Sequence, residues 1–213
     1  TISLEYGTAP STVSGTYTSG AWTNRHIKTT ASTTDNGCAG ISYYQYSHNG
    51  TSGWSNDIST LGWNSSYNNT STKTQLSYWI TWNGQWDFYV RAVDTLGNVG
   101  TNSTKFNEKI DVTLPTVSYN VAGGTYNAKK TVTVTGSDAN FKNMSVHVYK
   151  DGSFVSGKSV SGTTSSTFNV ALDSDGKWTV YTQVYDQAGN KHNQSPDNGG
   201  GWYYQNYTID TIA

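Results

Sequence analysis

The sequence predicts an all-β protein built from two tandem, antiparallel β-sandwich repeats. Three observations support this prediction: an internal repeat, apolar residues that alternate with polar ones, and turn signals at short intervals. The 213 residues give room for two domains of about 100 residues each. Only 34% of the residues are hydrophobic, which suits a thin two-layer sandwich, and an aromatic content of 14% argues against disorder.

The internal repeat is the strongest signal in the chain. The segment Gly84–Asp94 aligns without a gap with Gly176–Asp186, and a Gly-Asn turn follows each segment. Six identities fall at one offset of 92, in the pairs Gly84/Gly176, Trp86/Trp178, Tyr89/Tyr181, Asp94/Asp186, Gly97/Gly189 and Asn98/Asn190. This agreement predicts the same strand and turn in both copies.

Further landmarks divide the chain into two repeats. Gly15-Thr16-Tyr17 matches Gly124-Thr125-Tyr126, and Ile110-Asp111 recurs as Ile209-Asp210 near the end. We therefore predict repeat 1 over residues 1–110 and repeat 2 over residues 111–213, the latter ending with the first residues of a third repeat. Repeat 1 has a longer, aromatic-rich middle.

A period of two predicts half-buried strands in both repeats. The residues predicted to face the core are Trp86, Phe88, Val90 and Ala92 in repeat 1, and Val132, Val134, Met144, Val146, Val148, Trp178, Val180, Thr182 and Val184 in repeat 2. Asn49-Gly50 and Asp151-Gly152 follow strands and favour hairpin turns. The spacing of these signals describes a seven-strand sandwich for each repeat, with Trp86 and Trp178 at equivalent core positions.

The charge balance argues against two classes of partner. A net charge of -1 provides no basic surface for nucleic acid or for an anionic membrane. No apolar run reaches the ~18 residues that a membrane span needs, so no membrane insertion is expected. The sequence carries no initiator methionine and no recognisable leader, and we expect it to be a segment of a longer protein.

No catalytic constellation stands out, so we expect neither an enzyme nor a cofactor. Cys38 is the sole cysteine and has no histidine beside it in sequence. Asp173-Ser174-Asp175-Gly176 begins like a Ca²⁺ loop but lacks the downstream glutamate, which favours a polar hairpin turn. The four histidines share no metal-ligand spacing, and no metal site is predicted.

Two aspartates end the repeated strand just before its Gly-Asn turn. A carboxylate in this place can accept hydrogen bonds from the N–H groups of the turn, and glycine supplies the left-handed backbone conformation. We therefore predict that Asp94, Asn98, Asp186 and Asn190 are structural turn residues. Metal ligation by the two carboxylates is the alternative.

The longer middle of repeat 1 gathers aromatic residues among Ser, Asn and Gly, a composition typical of recognition loops. We predict that any ligand would be bound there, by the residues Trp54, Trp63, Tyr67, Trp79 and Trp82. A satellite cluster that covers one edge of the sandwich is the alternative.

Several segments carry a resemblance to a known family. They are residues 20–24 (Gly-Ala-Trp-Thr-Asn), 35–41 (Asp-Asn-Gly-Cys-Ala-Gly-Ile), 44–47 (Tyr-Gln-Tyr-Ser), 93–98 and 185–190. Together they resemble the bacterial immunoglobulin-like repeats of Gram-positive cell-surface, adhesin-type proteins. The resemblance implies two tandem immunoglobulin-like antiparallel β-sandwiches in an extracellular protein, on the bacterial cell surface or secreted. Repeat 2 departs from the pattern, because it lacks the Trp-Thr-Asn opening and the Tyr-Gln-Tyr-Ser strand.

Two functional hypotheses follow from the repeat and the resemblance. The first is a non-catalytic spacer or stalk, whose partners are neighbouring immunoglobulin-like repeats of the same parent chain. The alternative is a recognition module that binds a glycan or a host surface protein through the aromatic-rich insertion of repeat 1.

Overall fold

The computed structural model describes residues 10–11, 14–15, 20–25, 27–37, 39–56, 70–71, 76–80, 83–192 and 202–212. All the regular secondary structure in this part of the chain consists of β-strands, which confirms the predicted all-β sandwich class. No helix that could span a membrane occurs there. The chain divides into two compact units, Thr1–Asp111 and Val112–Ala213. That each unit folds independently stays a prediction.

Unit 1 is a sandwich of two four-stranded sheets. Its described strands are β1 (Ser14–Gly15), β2 (Trp22–Thr23), β3 (Ile27–Ser32), β4 (Ile41–Ser47), β5 (Thr70–Ser71), β6 (Leu76–Ile80), β7 (Gly84–Asp94) and β8 (Phe106–Ile110). One sheet has the order β1-β3-β6-β5 and the other the order β2-β8-β7-β4. Ala31 of the first sheet packs with the apolar residues of the second, so the core lies between the sheets.

Unit 2 is a sandwich of a three-stranded and a five-stranded sheet. Its described strands are β9 (Thr116–Tyr119), β10 (Gly124–Tyr126), β11 (Lys130–Ser137), β12 (Phe141–Lys150), β13 (Ser153–Ser161), β14 (Ser165–Leu172), β15 (Gly176–Asp186) and β16 (Tyr203–Ile209). The sheets have the orders β14-β11-β9 and β10-β16-β15-β12-β13. Val132 and Leu172 of the smaller sheet pack with Val146, Trp178 and Val180 of the larger one.

The two units share most strand pairings, but the additional strand differs: β5 lies beside β6 in unit 1, whereas β13 lies beside β12 in unit 2. Both units also depart from the predicted seven antiparallel strands, because each contains a parallel pair. Near its start each unit has two short strands that join different sheets, as β9 pairs with β11 and β10 with β16. Among the described strands, β2 with β8 and β10 with β16 are parallel pairs, and the others are antiparallel. In unit 2 the chain crosses from one sheet to the other between β9 and β10. This crossing requires glycine at position 123, because a Cβ there would lie 2.8 Å from the carbonyl oxygen of Asn206.

One predicted equivalence between the repeats is wrong. Gly15 ends β1 and pairs with Ala31 of β3, whereas Gly124 begins β10 and pairs with Tyr207 of β16. The strand of unit 1 that corresponds to β10 is therefore β2, Trp22–Thr23. Thr16 and Tyr17 lie outside the described residues. A three-residue sequence match in a chain rich in Gly, Thr and Tyr does not determine with which strand each matched segment pairs.

Alternation along the strands produces the core as predicted, with one difference. Val180, Thr182 and Val184 of β15 are buried, and so are Phe88 and Val90 of β7. The two equivalent tryptophans differ, however. Trp178 is only 4% exposed, whereas Trp86 is partly buried and packs against the margin of its core. The two positions are thus equivalent in sequence but not in burial.

Candidate functional site

The turn that follows β7 is held together by Asp94 and Asn98. Oδ1 of Asp94 accepts hydrogen bonds from the backbone N–H groups of Leu96 and Asn98, both at 2.8 Å. Oδ2 accepts a hydrogen bond from Nδ2 of Asn98 at 2.7 Å. Gly97 completes the turn with a φ of 89°, in the left-handed region that glycine favours.

The hydrogen bonds change the acidity of Asp94. Its burial, taken alone, raises the pKa of the carboxyl group, because burial disfavours the charged form. The bonds from the side chain and backbone of Asn98, and from the backbone of Leu96 and Gly97, outweigh that effect and lower the pKa below its ordinary value. Asp94 is therefore ionised at neutral pH, with its negative charge directed into its own turn.

The turn that follows β15 repeats this geometry. Asn190 donates its backbone N–H to Oδ1 of Asp186 at 2.8 Å and its Nδ2 to Oδ2 at 2.7 Å. Gly189 has the same φ of 89° as Gly97. All four predicted turn residues thus occupy two matching turns, and their contribution to stability stays a prediction.

In the Asp173–Gly176 segment, where a Ca²⁺ loop was the alternative, Asp175 makes a structural contact. Oδ1 of Asp175 accepts hydrogen bonds from the backbone N–H of Thr211 at 3.0 Å and from its hydroxyl at 2.8 Å. Asp175 thereby ties the segment after β16 to the turn before β15. Asp173 is exposed.

The predicted ligand-binding residues of repeat 1 are only partly described. Trp54 is half-buried, and the guanidinium carbon of Arg91 lies 4.0 Å from its ring centroid. Nε of Arg91 also donates to Oε1 of Gln45 at 2.9 Å, which holds the cation in place. One face of Trp54 is therefore covered by a cation–π contact within its own unit.

The other four candidates give no further support to this site. Trp79 lies in β6, where its backbone pairs with Lys28 of β3. Trp63, Tyr67 and Trp82 lie outside the described residues, as does Cys38. Ligand binding by repeat 1 stays a prediction.

A concave surface lies in unit 2, where the sequence did not predict one. It is a groove of about 630 Å³, lined by His147, Tyr149, Gly152, Thr179, Tyr181 and Trp202, and is called the aromatic groove below. These residues lie on the face of the five-stranded sheet that points away from the core. The core-facing neighbours in the same strands, Val146, Val148 and Val180, are buried.

Strand register places the aromatic residues side by side across the sheet. His147 of β12 pairs with Tyr181 of β15, and Tyr181 pairs with Tyr204 of β16. In the next row Tyr149 pairs with Phe154 of β13 on one side and with Thr179 of β15 on the other. Cross-strand partners of this kind have side chains within contact distance.

Ring contacts connect the two rows into one platform. The ring of Tyr149 lies 5.5 Å from the rings of both Phe154 and Tyr181, and the ring of Tyr181 lies 5.4 Å from that of Tyr204. The ring of His147 lies 4.7 Å from that of Trp202, which precedes β16. Phe154 and Tyr204 remain 58% and 52% exposed, so the platform is open to solvent.

One sequence signal could have revealed this platform. Alternation already placed His147, Tyr149 and Tyr181 on the outward face, where polar residues are the norm. Aromatic residues at outward positions of two strands indicate a surface with a purpose beyond the core. That β12 and β15 are neighbours, and that Phe154 and Trp202 join them, required the tertiary structure.

Comparisons with known proteins found distant structural similarities. No family model and no curated protein matches the chain. Among solved structures, it is similar to the fibronectin(III)-like modules of Clostridium thermocellum CbhA, with 13% identity and a TM-score of 0.33 over 93% of this chain and 94% of that one. It is also similar to domains A168–A170 of titin, with 11% identity and a TM-score of 0.41 over 85% of this chain and 62% of that one. The chain thus spans less than two thirds of the titin fragment. The neighbours are fibronectin-III-like and immunoglobulin-like domains, one of them from a bacterium.

Proposed function

We propose that this chain is a non-catalytic part of an extracellular bacterial surface protein, in which the two immunoglobulin-like units form a load-bearing spacer. One observation carries the proposal. In each unit a short strand near the start runs parallel to, and pairs with, the last strand of that unit. This pairing couples the two ends of the unit directly to each other.

The direction of the paired strands determines how they respond to tension. A pull on the two ends of unit 2 draws β10 and β16 in opposite directions along their own length. The hydrogen bonds between parallel strands lie across that direction, so they are sheared together instead of opening one after another. Three residue pairs form this patch, Gly124–Tyr207, Thr125–Thr208 and Tyr126–Ile209, and the N–H of Asp210 extends it to the carbonyl of Tyr126 at 3.0 Å.

Unit 1 has the same arrangement with fewer paired residues. Trp22 pairs with Lys109 and Thr23 with Ile110, and the N–H of Asp111 donates to the carbonyl of Thr23 at 2.9 Å. Before this patch, the N–H of Gly20 donates to the carbonyl of Asn107 at 3.1 Å. Two units with the same load path suit a repeated structural element better than a single binding module.

The extracellular bacterial location rests on the sequence. The chain has one cysteine and a low charged fraction of 13%, and its motifs resemble the immunoglobulin-like repeats of Gram-positive surface proteins. A spacer on a cell surface experiences tension whenever the domain that it carries holds a target. A parallel strand pair that is loaded in shear would resist this tension.

Single-molecule stretching of the whole chain by its two ends tests the proposal. Hydrogen bonds alternate along a parallel strand, so the bond to Tyr126 places the N–H of Gly124 on the side that faces β16. Gly124→Pro removes that N–H, whereas Gly124→Ala keeps it and adds a Cβ that meets only ordinary contacts, the nearest at 3.8 Å. We expect Gly124→Pro to lower the unfolding force of one unit, and Gly124→Ala to leave it near the wild-type value.

A second control separates mechanical resistance from overall stability. Val170→Ala creates a cavity in β14, which lies in the other sheet and outside the shear patch, at a cost of about 1–3 kcal/mol. If Val170→Ala reduces the unfolding force as much as an equally destabilising Gly124→Pro does, the parallel pair does not carry the load and the proposal fails.

A further inference from the structure

We propose that the aromatic groove of unit 2, together with the exposed rings of Phe154 and Tyr204 beside it, binds a neutral oligosaccharide through ring faces and the hydroxyl groups between them. This inference does not depend on the load-bearing role. It assigns to unit 2 a recognition surface that the sequence led us to expect in repeat 1.

Large aromatic rings of unit 2 that the core does not use are exposed to solvent. The core of unit 2 is complete without Phe154 and Tyr204, because neither belongs to its cluster of packed residues. More than half of each side chain is nevertheless exposed. A contiguous platform of such rings is typical of a site that a partner covers. The flat C–H faces of sugar rings can pack on these rings, while sugar hydroxyl groups reach the polar atoms at their edges.

Polar atoms that can bind a ligand lie beside these rings. The hydroxyl groups of Tyr149, Tyr181 and Tyr204 have no hydrogen-bond partner among the described residues. At the edge of the groove, the hydroxyl of Thr179 donates to Oδ1 of Asn206 at 2.9 Å, which orients the amide and leaves its Nδ2 as a donor. An apolar protein segment would bury these groups unpaired, at a cost, whereas a sugar can pair them.

The charge of the groove also favours a neutral ligand. No lysine, arginine, aspartate or glutamate lines the groove as the structure describes it. A nucleic acid or an acidic polysaccharide would bring negative charges to a lining that contains no lysine or arginine to receive them. A pocket of a few hundred cubic ångströms with apolar walls and a few polar groups is the usual setting for a small neutral ligand. The exposed rings, the available hydroxyl groups and the lack of lysine, arginine and acidic residues thus all favour an uncharged ligand that is rich in hydroxyl groups.

Isothermal titration of the whole chain tests the proposal with defined probes. The neutral probes are cellohexaose, xylohexaose, mannohexaose, maltohexaose and chitohexaose, and a galacturonic acid hexamer is the charged comparison. We expect at least one neutral hexamer to bind with a dissociation constant of about 1 mM or tighter, and the charged hexamer not to bind.

Variants connect the binding to the groove. The double variant Phe154→Ala/Tyr204→Ala removes two exposed rings and should weaken binding about tenfold. Tyr204→Phe keeps the ring and removes only the hydroxyl, and should weaken binding by about two- to threefold. Tyr43→Ala is the matched control, because it removes an exposed tyrosine, 38% exposed, from a strand of unit 1. It should bind like the wild type, and circular dichroism verifies the fold of every variant.

Three results would overturn the proposal. The first is no binding of any neutral hexamer. The second is binding that the double variant retains in full or that Tyr43→Ala abolishes. The third is binding of an apolar peptide through Phe154 and Tyr204 without any oligosaccharide bound, which would assign the groove to a protein partner.

Discussion

Asn190 holds the carboxylate of Asp186 at both oxygens, through its backbone N–H at 2.8 Å and through its side-chain amide at 2.7 Å. The N–H of Asp186 donates back to the carbonyl of Asn190 at 3.2 Å. Beside this turn, the N–H of Gln187 donates to the carbonyl of Asn140 at 2.8 Å. The Asp186–Asn190 pair therefore stabilises the turn at the end of β15, and the Gln187–Asn140 backbone bond attaches that turn to the residue before β12.

The matching turn of unit 1 provides a pH-dependent test. Asp94→Asn should lower the melting temperature of unit 1 at pH 7, because a neutral amide accepts the same hydrogen bonds more weakly than a carboxylate. The folded pKa of Asp94 lies below its unfolded value of about 3.9. Its stabilising effect is thus fully present above about pH 4 and is lost as the pH falls through the folded pKa.

Thermal melts at pH 7, 5, 3 and 2 measure this effect. The difference between wild type and Asp94→Asn should be constant from pH 7 to 5 and should shrink below pH 4. Asp173→Asn removes the same charge at an exposed position of unit 2 and serves as the control. A difference that persists unchanged to pH 2 would show that the carboxylate charge does not stabilise the turn.

Replacement by alanine should cost more free energy of unfolding at Trp178 than at Trp86. Trp178 is almost fully buried and its Nε1 donates to the carbonyl of Ser174 at 3.0 Å, so Trp178→Ala should cost about 3–5 kcal/mol. Trp86 lies at the margin of its core, and Trp86→Ala should cost about 1–2 kcal/mol. Urea unfolding, monitored separately for each unit, measures both values. Equal losses at the two positions would contradict the difference in burial.

Tyr119 should make unit 2 sensitive to alkali. Burial raises the pKa of its hydroxyl to about 12, although the hydrogen bond to Oγ1 of Thr182 at 2.7 Å acts in the opposite direction. Because the folded pKa exceeds the unfolded value of about 10, this contribution to stability is fully present below pH 10 and is lost as the pH rises towards 12.

Tyr119→Phe separates the two roles of this hydroxyl. It should cost about 1 kcal/mol at pH 7, through the lost hydrogen bond, and it should reduce the alkaline loss of stability. Urea unfolding at pH 7 to 11.5 measures both effects, and absorbance of tyrosinate monitors the titration. An unchanged alkaline profile in the variant would attribute the sensitivity to other groups, among them Tyr207, whose pKa is also raised by burial.

Residues 111–213 should fold on their own. The core cluster of unit 2 consists entirely of residues from Val132 to Ile209, so the fragment contains every residue that builds this core. We expect a cooperative urea transition and β-type circular dichroism from this fragment. An unfolded fragment beside a stable full-length chain would show that the two units depend on each other.

Much of each unit could be predicted from local patterns. Alternation identified the inward residues of β12 and β15, because successive side chains of a strand point to opposite faces. The Asp, Gly and Asn spacing identified both turns, because their hydrogen bonds span at most four residues. Predictions that depended on which distant strand pairs with a segment were less successful. The predicted equivalence of Gly15 and Gly124 is the example, because the two residues pair with strands of different sheets.

The sequence by itself determined the alternation of β7, β11, β12 and β15, the core-facing side of these strands, and where the two repeated turns lie. These properties depend on backbone geometry and on side chains close together in the chain. Only the tertiary structure decided that β10 runs parallel to β16, that Arg91 covers Trp54, and that Phe154, Tyr181 and Trp202 meet on one surface. Alternation fixes the side of a sheet on which a residue lies, but not the strand that lies next to it, because that choice depends on packing the whole core at once.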